Sequence, residues 1–170
     1  MGGFNAPQRR GFGDEQLRVP KKPVRVSVTL DGGTVVVGNV HLALDAGWHE
    51  GRERVIDLLN APEPFMPVTA LEGSRLVMKD RIVTVDFESA FDAGLDEGSE
   101  GAVAARVAVH LAGLPSTVAT LEGRLRLVMP PGRERVLDFL NEAGAFFPLE
   151  LDAGVALVAR RYILEVSQAE

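Results

Sequence analysis

The chain contains no cysteine, so neither disulfides nor thiolate-held metals can support its fold. No apolar run approaches the roughly 18 residues that would mark a membrane span. Residues 1–23 lack the continuous apolar core of a secretory signal, being broken up by Gly, Arg and Lys. No membrane association and a cytoplasmic location are the expectations from these absences. Reactive motifs are missing too. No Ser sits in a Gly-x-Ser-x-Gly setting, and the Gly pairs at 2–3 and 32–33 lack the Lys-Ser/Thr of a phosphate loop.

Hydrophobic residues make up 46% of the 170 and charged residues 25%, proportions of a folded chain rather than a disordered one. The net charge of −6 is unevenly spread. Residues 1–23 carry five Lys/Arg against two acids, whereas 88–104 carry five acids and no base. Between them, 24–87 hold six bases and nine acids, and 105–168 hold seven of each. Neither segment has the basic surplus from which phosphate affinity is built, so nucleic acid is not the expected partner.

An internal repeat organises the sequence. Arg52-Glu53-Arg54-Val55-Ile56-Asp57-Leu58-Leu59-Asn60 returns as Arg133-Glu134-Arg135-Val136-Leu137-Asp138-Phe139-Leu140-Asn141, with seven of nine positions identical at an offset of 81. The same offset aligns Phe65 with Phe146, Pro67 with Pro148, Leu76-Val77 with Leu157-Val158, and Ile82 with Ile163. The expected organisation is a disordered tail at 1–23, a first unit at 24–87, an acidic linker at 88–104 and a second unit at 105–168. Length differences fall in presumed loops, as two copies of one fold should show.

Within each unit the hydrophobic period changes from two to that of a helix and back. Val24, Val26, Val28 and Leu30 alternate with polar residues, which predicts a half-buried strand. Asp31-Gly32-Gly33 signals a hairpin. Val36, Val40, Leu42 and Leu44 then share one strand face with Gly38, a place for a bulge or bend. Val55, Leu58 and Leu59 fit a short helix, with Asn60 suited to a left-handed cap and Pro62 blocking continuation. Short strands follow at Phe65–Val68, 75–78 and 81–87. Five strands and one short helix in about 64 residues predict a small, strongly bent barrel.

This plan resembles the SH3-like and Sm-like small barrels: a strand, a glycine-bearing bent strand, and a last strand introduced by Lys79-Asp80-Arg81-Ile82. The Arg-Val-x-Asp-x-Leu-Asn signature followed by Phe-x-Pro is similar to bacterial domains of uncharacterised function. The resemblance covers both units but neither tail nor linker. The RNA-contacting loops of Sm proteins are absent, so it implies a fold and no activity. The expected fold class is mainly β: two tandem small SH3/Sm-like barrels, each with one short helix between strands.

Candidate functional residues are sparse. The repeated polar set Arg54, Asp57 and Asn60, with Arg135, Asp138 and Asn141, fits a partner-contacting helix face. It equally fits structure, with Asp pairing with Arg at i−3 and Asn ending the helix. Trp48 and His49 lie in a Gly-containing loop of the first unit, where Trp serves as a contact anchor or a lid. His41, Asp45 and His49 have metal-like spacing, but His41 sits in an alternating strand, so no metal site is expected. Phe4, Arg9-Arg10 and Phe12 in the tail form a short motif without a complete family pattern around it. An enzyme, a cofactor and a metal are all unexpected. The expected role is protein interaction or regulation, with another protein as partner and self-association through strand edges as a further option. Nucleic-acid binding by barrels and tail, and small-molecule (nucleotide) sensing, are the alternatives. If one unit alone meets a partner, the first, with Trp48 and His49, is the expected one.

Overall fold

In a computed structural model, residues 20–44, 51–95, 102–130 and 132–168 are described. Trp48, His49, Asp45 and nearly all of the tail lie outside these residues. The described residues contain ten strands: β1 (Lys21–Leu30), β2 (Val35–Ala43), β3 (Phe65–Ala70), β4 (Gly73–Met78), β5 (Ile82–Phe87), β6 (Val103–Leu111), β7 (Thr120–Leu127), β8 (Phe146–Leu151), β9 (Gly154–Ala159) and β10 (Ile163–Gln168). Two short helices, α1 (Val55–Asn60) and α2 (Val136–Glu142), interrupt them between β2 and β3 and between β7 and β8. The mainly β class is therefore as read from the periodicity.

All ten strands belong to one antiparallel sheet, ordered β10-β6-β7-β8-β9-β5-β1-β2-β3-β4. The expectation of two separate barrels differs from this pairing. β4 does not return to β5 of its own half; β5 instead pairs with β9, with Thr84 opposite Val158 and Phe87 opposite Val155. The order β5-β1-β2-β3-β4 in the first half recurs as β10-β6-β7-β8-β9 in the second. The sheet stays open, with β4 and β10 at its ends.

The bend in each half comes from a glycine. Gly38 in β2 lies where a Cβ would stand 2.6 Å from the Thr69 carbonyl oxygen, and Gly123 in β7 where one would stand 2.4 Å from that of Glu150. Only a missing side chain lets β3 and β8 approach so closely. The pairing is correspondingly brief, through Asn39 with Thr69 and Arg124 with Glu150. Beyond Gly38 the predicted face holds for Val40 and Leu42, which are buried, but Leu44 falls just past β2 and is exposed.

Two apolar clusters form the core, and each borrows from the other half. The first gathers Val26, Val28, Val40, Met66 and Val68 with Phe146, Val155, Leu157 and Ala159 of the second half. The second gathers Val107, Val109, Leu125 and Leu149 with Val83 of the first half. β5 and β9 are consequently buried on both faces. Removing Leu157 or Val83 from water contributes about 1.5–3 kcal/mol each, and that energy depends on the halves being joined.

Two stretches at the margins of the first half also join it. Lys21 and Lys22 already pair in β1 with Ala43 and Leu42, ahead of residue 24. The described part of the acidic segment folds back on the first half: Phe91–Ala93 form a 3₁₀ turn, and Ala93 and Leu95 join the first apolar cluster.

Candidate functional site

The two short helices start with the same Arg–Asp pair. Arg54 is extended at the N-cap of α1 (φ −114°, ψ 162°), and its backbone N–H donates to Asp57 Oδ2 at 3.0 Å. Its guanidinium Nε reaches the same oxygen at 3.1 Å. At α2, Arg135 Nε donates to Asp138 Oδ2 at 2.8 Å. At both helices the carboxylate pairs with the arginine three residues before it, and at α1 it also accepts from that arginine's backbone amide. Hydrogen bonding to Asp138 raises the Arg135 pKa above its ordinary value, keeping that group a cation.

The surroundings of the two helices differ. Gly94, following the 3₁₀ turn, sits against Ile56 and Arg54, and Arg54 is buried. Arg135 and Leu137, at the corresponding places on α2, are exposed. The open copy of this motif is therefore the second one.

Asn60 is not a left-handed cap. It is the last helical residue; Ala61 after it is extended (φ −66°, ψ 152°), as the residue before Pro62 must tend to be. The freed carboxamide reaches across the sheet junction. Asn60 Oδ1 accepts from the Phe146 N–H at 2.9 Å, and Nδ2 donates to the Phe146 carbonyl at 3.1 Å. The α1 C-terminus is held instead by buried Lys79, whose Nζ donates to the carbonyls of Leu58 (2.5 Å) and Ala61 (3.0 Å). Burial lowers the Lys79 pKa, opposed by Glu63 and Glu53. Arg160 does the same for α2 through Ala143 O at 2.7 Å. Sequence reasoning passed over this cation, although the offset of 81 places Lys79 and Arg160 in register.

Further contacts close the junction. Arg161 Nη1 lies 2.7 Å from Asp80 Oδ1, Tyr162 OH donates to Asp80 O at 2.9 Å, and the Gly32 N–H donates to Gly113 O at 2.7 Å. Beside this seam, an open cleft of about 420 Å³ runs between β1 and the 88–92 segment, lined by Lys22, Arg25, Ser27, Val37, Asp86 and Asp92 among others. Lys22 Nζ stands 3.5 Å from buried Asp92. Burial raises the pKa of Asp86, while a hydrogen bond from Thr84 Oγ1 at 3.4 Å opposes the rise.

Of the expected site residues, the structure brings Arg54 and Asp57 together, and likewise Arg135 and Asp138, while Asn60 faces the second half and Asn141 is exposed. His41 bonds Thr69 Oγ1 at 3.1 Å from its strand. Among the described residues, no three His, Asp or Glu lie close enough to hold a metal ion, and no helix is long and apolar enough to cross a membrane. No family model, curated protein or solved structure matches the chain.

The least expected feature is apolar. On the outer side of the end strands β3 and β4, Phe65 stands opposite Met78 and Pro67 opposite Leu76, and Phe65, Leu76 and Met78 are all exposed. They border the outer edge of β4, with which no strand among the described residues pairs.

Proposed function

We propose that this chain is a non-enzymatic protein-interaction module, built from a duplicated unit of small SH3- or Sm-like barrel plan, that recruits a polypeptide to the open edge of its sheet. The observation that carries the reading is the cluster of Phe65, Leu76 and Met78 beside the outer edge of β4, with which no strand among the described residues pairs. An edge of unpaired N–H and C=O groups is a template for another strand, and natural proteins blunt such edges with charge or proline unless they use them. Here Arg75 is the one charge in β4, and it pairs with Glu72 at 2.7 Å. Duplication is supported by the recurring strand order and by the shared places of Gly38 and Gly123, and of Lys79 and Arg160.

Cross-linking in the native cell, read by quantitative mass spectrometry, tests the interaction. Leu76→Glu is expected to lose the polypeptides that the unaltered chain captures, while Leu137→Glu, far from β4, retains them. Equal capture by both variants sinks the reading.

The cleft beside Asp86 favours a second reading, in which a small polar ligand binds between Lys22, Arg25 and Asp86. A nucleotide panel in a thermal-shift assay addresses it. A ligand present at 100 times its Kd adds about 2.7 kcal/mol, and a flat profile across the panel ends the idea.

A further inference from the structure

The seam inside the chain shows what the two open ends lack. At the seam, β9 of the second half lays Phe146 of neighbouring β8, Leu157 and Ala159 into the first apolar cluster, where they are 5%, 0% and 1% exposed. Eighty-one residues earlier, Phe65, Leu76 and Met78 occupy the same places on β3 and β4 and are 46%, 72% and 42% exposed. The other side matches. Val83 of β5 is fully buried in the second cluster, whereas Leu164 of β10, its counterpart, is 73% exposed. Each end of the sheet thus carries half of a seam whose other half stands at the opposite end.

We infer that copies of this chain join head to tail, β4 of one pairing antiparallel with β10 of the next as β9 pairs with β5. This rests on the reading of the chain as an edge-binding module and names the occupant as a second copy. Shifting the seam's register by 81 on each side places Glu165 opposite Val77, Val166 opposite Leu76, Ser167 opposite Arg75 and Gln168 opposite Ser74. Leu164 of one copy enters the second copy's first cluster region as Val83 enters its neighbour's, and Phe65, Leu76 and Met78 are covered in return. Asn141, exposed and without a hydrogen-bond partner among the described residues, is placed to grip the Phe65 backbone as Asn60 grips Phe146.

One difference sets the strength. Gly144 lets Asn60 approach, since a Cβ there would stand 2.9 Å from Asn60 Oδ1, and Glu63 holds the matching place. The contact between copies is therefore looser than the seam within one. Because the two surfaces differ, the contact is heterologous, giving a ring where the rotation closes and a filament where it does not.

Light scattering on the purified full chain tests this. The chain mass is 18.3 kDa, and species of two or more chains are expected, increasing with concentration. Leu76→Glu and Leu164→Glu alter exposed positions, so each is expected to keep the far-UV spectrum and unfolding midpoint while shifting the mass to one chain. Mixing the two variants restores a single good contact and is expected to stop at two chains, an outcome a symmetric edge-to-edge dimer does not produce. Independently, Arg75→Cys chains mixed with Ser167→Cys chains should cross-link on oxidation in a protein otherwise free of cysteine. A one-chain mass up to about 100 µM, far above the micromolar range of weak specific contacts, together with no cross-link, overturns the inference. If Leu76→Glu then still loses its cellular partners, the edge-binding reading survives alone. If it keeps them, both fail.

Discussion

Asn60 of the first half holds both backbone polar groups of Phe146 in the second, accepting at 2.9 Å and donating at 3.1 Å. Its sequence twin Asn141 has no such partner among the described residues. Two identical residues in closely similar local sequence therefore do different work, and the difference can be measured.

Asn60→Ala removes the carboxamide partner of the Phe146 N–H and C=O at a part-buried place in the seam. The expected loss is about 1–3 kcal/mol, read as a lower urea midpoint. Asn141→Ala in the single-chain state, fixed by Leu76→Glu, should leave that midpoint unchanged. Equal losses for both would show that Asn acts only within its own helix.

Lys79→Met removes the donor to Leu58 O and Ala61 O at the α1 C-terminus. The methionine keeps the volume, so the expected loss of about 1–3 kcal/mol is that of unpaired carbonyls. Faster amide exchange over α1 than over α2 should accompany it.

Gly38→Ala puts a Cβ 2.6 Å from the Thr69 carbonyl oxygen and 2.7 Å from Val68 Cγ1. The first contact is with backbone, so β3 must retreat, at a cost of about 1–3 kcal/mol as in overpacked cores. Gly123→Ala, facing Glu150 O, should cost the same. A neutral result at either position would contradict the close approach of these strands.

Asp86 gives a pH signature. Burial raises its folded pKa, so the folded state holds the proton more firmly than the unfolded state, whose value is about 3.9. The stability from this group is complete below that unfolded value and is lost as pH rises through the raised folded one. Asp86→Asn should therefore unfold at higher temperature than the unaltered chain at pH 7, and match it near pH 3. A gain of the same size at both pH values would place its cause elsewhere than in the carboxylate charge.

Much of the local architecture was legible in the residues. The alternation at Val24, Val26 and Val28 and the helical spacing at Val55, Leu58 and Leu59 report burial within a few residues, and period alone separates strand from helix. The Arg54–Asp57 and Arg135–Asp138 pairs were equally readable, since a helix brings residues three apart together whatever else surrounds it. The role of Asn60 was not. A left-handed cap was a sound local inference, but the chain obeys Pro62 first and then finds Phe146, 86 residues away. The same limit hid the Lys79 cap and the folding of 88–95 over Arg54, because composition marks that segment only as acidic.

The sequence by itself determined the repeated unit, its strands, its helix and the glycines at its bends, since each depends on neighbours along the chain. Only the tertiary structure decided how the units meet. Leu76 and Leu157, or Val83 and Leu164, stand at equivalent places in the repeat, yet one of each pair is buried and the other exposed. Strand period determines which face a side chain takes; whether another strand lies against that face depends on the joining of β5 to β9, a contact between residues far apart in the chain.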